Sequence, residues 1–150
     1  MSRTQQHTGK AGENLAESTL RGLGIEQIEK IGTPVLLIPS RYKGLFKIIY
    51  GEKVSGDRRG ILPGGRSVLI EVKTILDSNL MYSELKPHQH AGLKEHADFG
   101  GLSLLVWVHN SGVYVMEYPI SGFVPGSSLS PQVACIWDEI TRKEIEGILT

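Results

Sequence analysis

The sequence predicts a single α/β or α+β domain, a mixed β-sheet covered by helices. Three observations carry that expectation. The 150 residues match one compact domain that can bury its own core. Hydrophobic periodicity runs helix, several strands, helix, two strands, helix, an order that calls for layered elements around one sheet. Ser67 to Thr74 alternates Val68, Ile70 and Val72 with Leu69, Glu71 and Lys73, the period-two signature of a strand at the centre of a sheet.

A polar arm, residues 1–9, precedes the first expected helix. Ala16, Leu20 and Leu23 recur at helical spacing and Gly22 and Gly24 supply a stop, so the helix is expected over Lys10 to Arg21. Ile28 to Ile31, Val35 to Ile38 and Leu45 to Tyr50 read as short strands. Between the last two, Ser40 to Gly44 is polar and basic, and with Lys47 it reads either as a hairpin projecting over residues 40–52 or as a solvated loop. Pro63-Gly64-Gly65 turns the chain into the Ser67 strand. Leu85, Gln89, Leu93 and His96 then share one face of a helix expected from Glu84 to Asp98, closed by Gly100-Gly101. Leu102 to His109 and Val113 to Tyr118 form a hairpin around Asn110-Ser111-Gly112. Residues 119–150 give a loop and a last amphipathic helix through Trp137, Ile140, Thr141, Ile145 and Ile148.

Composition excludes several classes. No apolar stretch approaches the roughly 20 residues of a membrane span. The single cysteine, Cys135, cannot form an internal disulfide, and with a polar N-terminus it fits a reducing cytoplasm. Net charge is zero, so there is no global field for nucleic acid. The charge is uneven, however: residues 1–60 hold ten Lys or Arg against six acids, and residues 101–150 hold two against five.

Glu71 and Lys73 leave the same face of their strand. Between covering helices, such a pair costs desolvation unless the charges pair or bind something. Asp57 lies fourteen residues upstream of Glu71, where a β-hairpin brings the two carboxylates together. They repel unless a divalent cation neutralises them, and hard oxygen ligands select Mg²⁺ or Mn²⁺. Glu13, at the edge of the first helix's buried stripe, is placed to reach the same site, with Glu17 as a rival. Gln89 on an apolar helix face needs amide partners, which a polar pocket supplies. His88, His90 and His96 lack the spacing of a shared zinc site and are expected to be solvated.

Taken together, Gly9 to Glu13, Asp57-x-x-Gly60-Ile61, Glu71-Val72-Lys73-Thr74, His88-Gln89 and Gly100-Gly101 resemble the PD-(D/E)xK nuclease superfamily. With Thr33-Pro34-Val35, their order is similar to that of RecU-type Holliday-junction resolvases, and Hjc-type resolvases share the plan. The resemblance implies a restriction-endonuclease-like α/β fold. It also implies a homodimeric, Mg²⁺- or Mn²⁺-dependent endonuclease acting on branched DNA, the four-way junction, with no membrane. Asp57, Glu71 and the Val72 carbonyl would hold the metal, Glu13 would hold a metal-bound water or help a second ion, Lys73 would orient the attacking water and stabilise charge on the scissile phosphate, and Gln89 would fix Lys73 or the water. Lys10, Arg41, Lys43, Lys47, Arg58 and Arg59 would contact DNA phosphates. Residues 40–52 would be a short version of the stalk that enters the junction. Gly56 replaces the superfamily's Pro. Another DNA substrate (a flap, a single strand or a duplex) and a non-catalytic binding module are the alternatives.

Overall fold

A computed structural model describes residues 3–31, 35–39, 46–50 and 57–149, with the backbone alone for 3–8, 35–39 and 46–50. In chain order the elements are α1 (Arg3–Gly22), β1 (Glu26–Lys30), β2 (Val35–Pro39), β3 (Phe46–Tyr50), β4 (Arg58–Ile61), β5 (Ser67–Thr74) and β6 (Leu80–Met81). A 3₁₀ turn (Tyr82–Glu84) leads to α2 (Pro87–Asp98), β7 (Leu102–His109), β8 (Gly112–Glu117), β9 (Ser128–Leu129) and α3 (Pro131–Leu149). Five strands form the main sheet in the order β1-β4-β5-β7-β8. The β5–β7 pair is parallel and the other pairs are antiparallel, so α2 is the crossover that a parallel pair requires. The expected mixed sheet with flanking helices is present.

Alternation along the strands builds two cores. Val68, Ile70 and Val72 of β5, with Leu104 and Val106 of β7, pack against Ala16 and Leu20 of α1 and Ile145 of α3. On the opposite face Leu69, Leu105, Trp107 and Met116 pack against Leu93 of α2 and the segment carrying Leu80, Leu85 and Phe123. Glu71 and Lys73 belong to this second face, at the end where the N-terminus of α2 sits over β5.

The two sheet edges are treated differently. Along β8, α3 supplies side-chain partners to the strand: Val115 N–H donates to Asp138 Oδ1 at 2.7 Å and Glu117 N–H to Thr141 Oγ1 at 2.9 Å. Arg142 clamps Asp138 from 2.8 Å. At the other edge, β1 is mostly exposed and charged, and its pairing with β4 is broken by a register shift between Glu26 and Glu29. Irregularity and charge both discourage a stray strand from pairing there.

The structure departs from the expected boundaries at the helix starts. Helix α1 begins at Arg3 rather than Lys10; its first turns carry no apolar periodicity to announce them. Helix α2 begins at Pro87, because Lys86 is extended and the preceding residues form a separate 3₁₀ turn. Proline is suited to a first helical position, where its missing N–H is not needed. Strands β2 and β3 pair antiparallel as a two-stranded sheet of their own, Val35 opposite Tyr50 and Pro39 opposite Phe46. The link between them lies outside the described residues, and with it Arg41 and Lys43, as does the side chain of Lys47. No helix among the described residues is long and apolar enough to cross a membrane.

Gly12 sets how closely α1 approaches β5. A Cβ there would sit 2.3 Å from Thr74 Oγ1 and 3.2 Å from Thr74 Cβ, too near for a branched, poorly adjustable neighbour. Gly12→Ala is therefore expected to cost ~1–3 kcal/mol by overpacking. Adding Thr74→Ala is expected to recover most of the loss; thermal denaturation of the single and double variants checks this, and additive losses would contradict it.

Candidate active site

Strand β4 is paired with β5 so that Arg58 stands opposite Ile70, and the Asp57 N–H also reaches the Ile70 carbonyl at 2.8 Å. Two consecutive residues facing one is the signature of a bulge, a device that re-aims a side chain at a strand end. Here it turns the Asp57 carboxylate toward β5, where Oδ2 accepts the Val72 N–H at 3.0 Å. Backbone groups of one residue leave the same edge of a strand, so the Val72 carbonyl also points to the side where Asp57 lies.

Glu71 is only 1% exposed. Its Oε1 accepts Gln89 Nε2 at 2.8 Å and lies 3.4 Å from Lys73 Nζ. Its Oε2 is buried with no donor among the described residues, and a protonated Glu71 carboxyl can donate to the Asp57 carboxylate. Burial, and then the neighbouring charge of Asp57, push the Glu71 carboxyl up to about 7 against the opposing pull of Lys73. An orphaned buried carboxylate oxygen is costly to keep, and a bound cation is one partner that would satisfy it. Two carboxylates and a backbone carbonyl form a set of hard oxygen donors that fits Mg²⁺ or Mn²⁺, for which one or two carboxylates plus water and phosphate oxygens suffice.

Gln89 ties this site to α2. At the third helical position its Oε1 accepts the Lys86 N–H at 2.8 Å, one of the donors that a helix start leaves open. The same oxygen lies 3.4 Å from Lys73 Nζ. With two donors fixing the oxygen, the amide nitrogen must face Glu71, and the side chain cannot flip without breaking all three contacts. Lys73, 20% exposed at its side chain, is thereby held between Gln89 and Glu71.

The remaining expected residues are not gathered there. Glu13 Oε2 is held by Arg58 Nη2 at 3.3 Å, and Glu17 lies 4.0 Å from the same guanidinium. No cluster of three or more His, Cys, Asp or Glu placed to hold a metal occurs among the described residues; Asp57 and Glu71 converge without Glu13. Arg58, expected at the surface as a phosphate contact, is instead buried to 6% exposure, its Nε without a hydrogen bond among the described residues and 4.0 Å from Glu17. Alternation sends Arg58 toward α1 and Arg59 outward. Arg59 is exposed, 3.5 Å from Glu29, and Lys10 is exposed on α1.

The expectation of solvated histidines fails for His90 and His96. His90 is buried and stacked on Tyr82 with ring centroids 3.8 Å apart. Its Nε2 lies 2.9 Å from the Tyr82 carbonyl, which can only accept, so that nitrogen carries the proton and Nδ1 accepts the Tyr118 hydroxyl at 2.6 Å. His96 bridges Ser67 and Ser103, 3.0 Å from each, and burial followed by Arg66 lowers its pKa. Both rings are structural pins. Sequence periodicity does not find them because their partners lie on other elements, and the helix start expected at Glu84 likewise hides the Lys86–Gln89 contact.

No family model matches the chain, and no curated protein is similar to it in sequence. Among solved structures, the chain is similar to Hjc of Archaeoglobus fulgidus, a Holliday junction resolvase from an archaeal hyperthermophile. The likeness has a TM-score of 0.53 at 14% identity, over 85% of this chain and 92% of that one. The fold is thus restriction-endonuclease-like, and this neighbour is of the Hjc rather than the RecU type.

Proposed function

We propose that the chain is a divalent-metal-dependent endonuclease that resolves four-way DNA junctions as a homodimer. One observation carries the reading: a buried glutamate with an unpartnered oxygen, set beside Asp57 and beneath a lysine that Gln89 holds in place. A structural ion-pair network would be expected to satisfy its most buried oxygen. The fold shared with a resolvase at 14% identity agrees with the reading without extending to activity.

Asp57, Glu71 and the Val72 carbonyl would hold Mg²⁺ or Mn²⁺, and the bound ion would supply charge neutralisation and an acidified water. Lys73 orients the attacking water and meets the negative charge that grows on the scissile phosphate, in a pocket dry enough for that interaction to count. Gln89 restricts the Lys73 ammonium and the Glu71 carboxylate to one geometry. Glu13 serves from outside the pair by holding Arg58, and so fixes α1 against β4. Lys10 and Arg59, with Arg41, Lys43 and Lys47 of the β2–β3 hairpin, contact the DNA backbone; Arg58 does not.

The test compares a labelled immobile four-way junction with the matching linear duplex, each with Mg²⁺ and with EDTA. Paired nicks at symmetry-related positions of the junction, present only with metal, are the expected result. Equal cutting of both substrates would replace resolution with general nuclease activity, and intact DNA throughout would remove the enzymatic reading.

A further inference from the structure

Beside the candidate active site lies a second concavity, of about 710 Å³, which the reaction above does not use. It runs along α2 on the side away from Gln89. Among the described residues, Lys86 and Lys94 are the charged ones that line it, and no acid does; Leu85, Pro87 and Pro125 make it largely apolar. Tyr82 and Tyr118 form its aromatic wall, and both are locked by His90: one by stacking and a backbone contact, the other by its hydroxyl. A wall held this way is preorganised, so little ordering cost remains for what binds against it.

We propose that this groove binds unpaired nucleotides of the DNA substrate, with backbone phosphates on Lys86 and Lys94 and a base against the Tyr82 and Tyr118 wall; it rests on the nuclease reading. Charge complementarity favours this occupant. Two cations flanking an apolar, aromatic trough match a polyanion whose bases are flat and apolar, the combination that single-strand sites use. Lys86, just before α2, and Lys94 on it are eight residues apart, or about 12 Å at helical rise, a span that exceeds one small anion and fits phosphates that are not adjacent along an extended strand. Lys94 is 2.6 Å from Asp98, but both side chains are about 60% exposed, and such a pair yields readily to a phosphate. Proximity adds to the case, since the Lys86 backbone N–H holds Gln89 while its side chain faces the groove. A strand opened at a branch point could therefore pass from the scissile position into the trough.

The experiment measures anisotropy of a short fluorescent oligothymidylate with the full chain in EDTA, where no cutting occurs. Lys94→Glu is expected to weaken binding about tenfold at low salt. Ala91→Trp, which fills the trough from an exposed position, is expected to weaken it comparably without changing net charge. Lys143→Glu, on the exposed face of α3, is the control and is expected to change little. Equal losses in Lys94→Glu and Lys143→Glu, undiminished binding by Ala91→Trp, or no binding by the unaltered protein would each overturn the proposal. Junction cleavage in Mg²⁺ is scored separately: cutting by a protein whose groove variants bind normally removes the groove alone, and groove-dependent binding without cutting removes only the nuclease reading.

Discussion

Lys73→Ala is expected to lower the rate of strand cleavage by about 10²–10³-fold, the range for losing one preorganised donor to developing charge. The ammonium occupies a pocket beside a carboxylate of 1% exposure, where its field is poorly screened. Binding of the junction is expected to fall much less, because under the proposed function affinity would come from phosphate contacts at Lys10, Arg59 and other basic residues away from Lys73. Single-turnover cleavage and metal-free gel shift, on the same preparation, separate the two quantities. Lys73→Arg is an informative companion: it keeps the charge, yet a planar fork cannot reproduce a point charge held by Gln89 Oε1, so only slight recovery is expected. Should Lys73→Ala lose binding and folding together with cleavage, the residue is structural and the assignment fails.

Glu71→Gln is expected to stabilise the metal-free protein while abolishing its response to metal. The folded-state pKa of about 7 lies above the ordinary 4.5, so the folded protein holds a proton that the unfolded chain has released. Stability is therefore highest below the unfolded value and declines as pH rises from about 4.5 through 7, by an amount on the order of 3 kcal/mol. Gln carries no charge to desolvate. Its oxygen can keep the contacts with Gln89 and Lys73, and its NH₂ group can face the Asp57 carboxylate in place of the orphaned Oε2. At pH 8 in EDTA the variant is expected to melt roughly 6–12 °C above the unaltered protein, and at pH 4.5 at nearly the same temperature. Mn²⁺ is then expected to raise the melting temperature of the unaltered protein and not that of the variant. A pH-independent difference between the two would show that Glu71 is not strained in the metal-free fold.

Much of this architecture was legible because alternation and helical periodicity are local. Strand β5 was read correctly to the residue, since Val68, Ile70 and Val72 face one core and Leu69 the other. The placement of Asp57 next to Glu71 followed from a Pro-Gly-Gly turn of the right length. What escaped was non-local or masked by polarity. The first turns of α1 are polar and offered no stripe, and Leu85 is buried although it precedes the helix whose face it was assigned to. His90 and His96 were read as solvated because their hydroxyl and carbonyl partners lie eight or more residues away or on other strands. Arg58 was a different kind of miss. The signal was present, because consecutive residues of a strand face opposite sides, but the doublet Arg58-Arg59 was read as one basic patch. The approach of Asp57 to β5 is readable, and the fate of Glu13 is not: nothing in the sequence announces that it pairs with Arg58.

The side chains that α3 lends to β8 constrain how two copies of this chain can meet. With Asp138 and Thr141 already accepting the strand's outward N–H groups, that edge offers no ladder for a second sheet to continue. A twofold partner cannot join by running one sheet into the next across β8 without first tearing α3 away. The proposed homodimer would instead meet through helix faces or the hairpin, and the spacing of its two candidate sites would be set by rigid-body docking rather than by strand register.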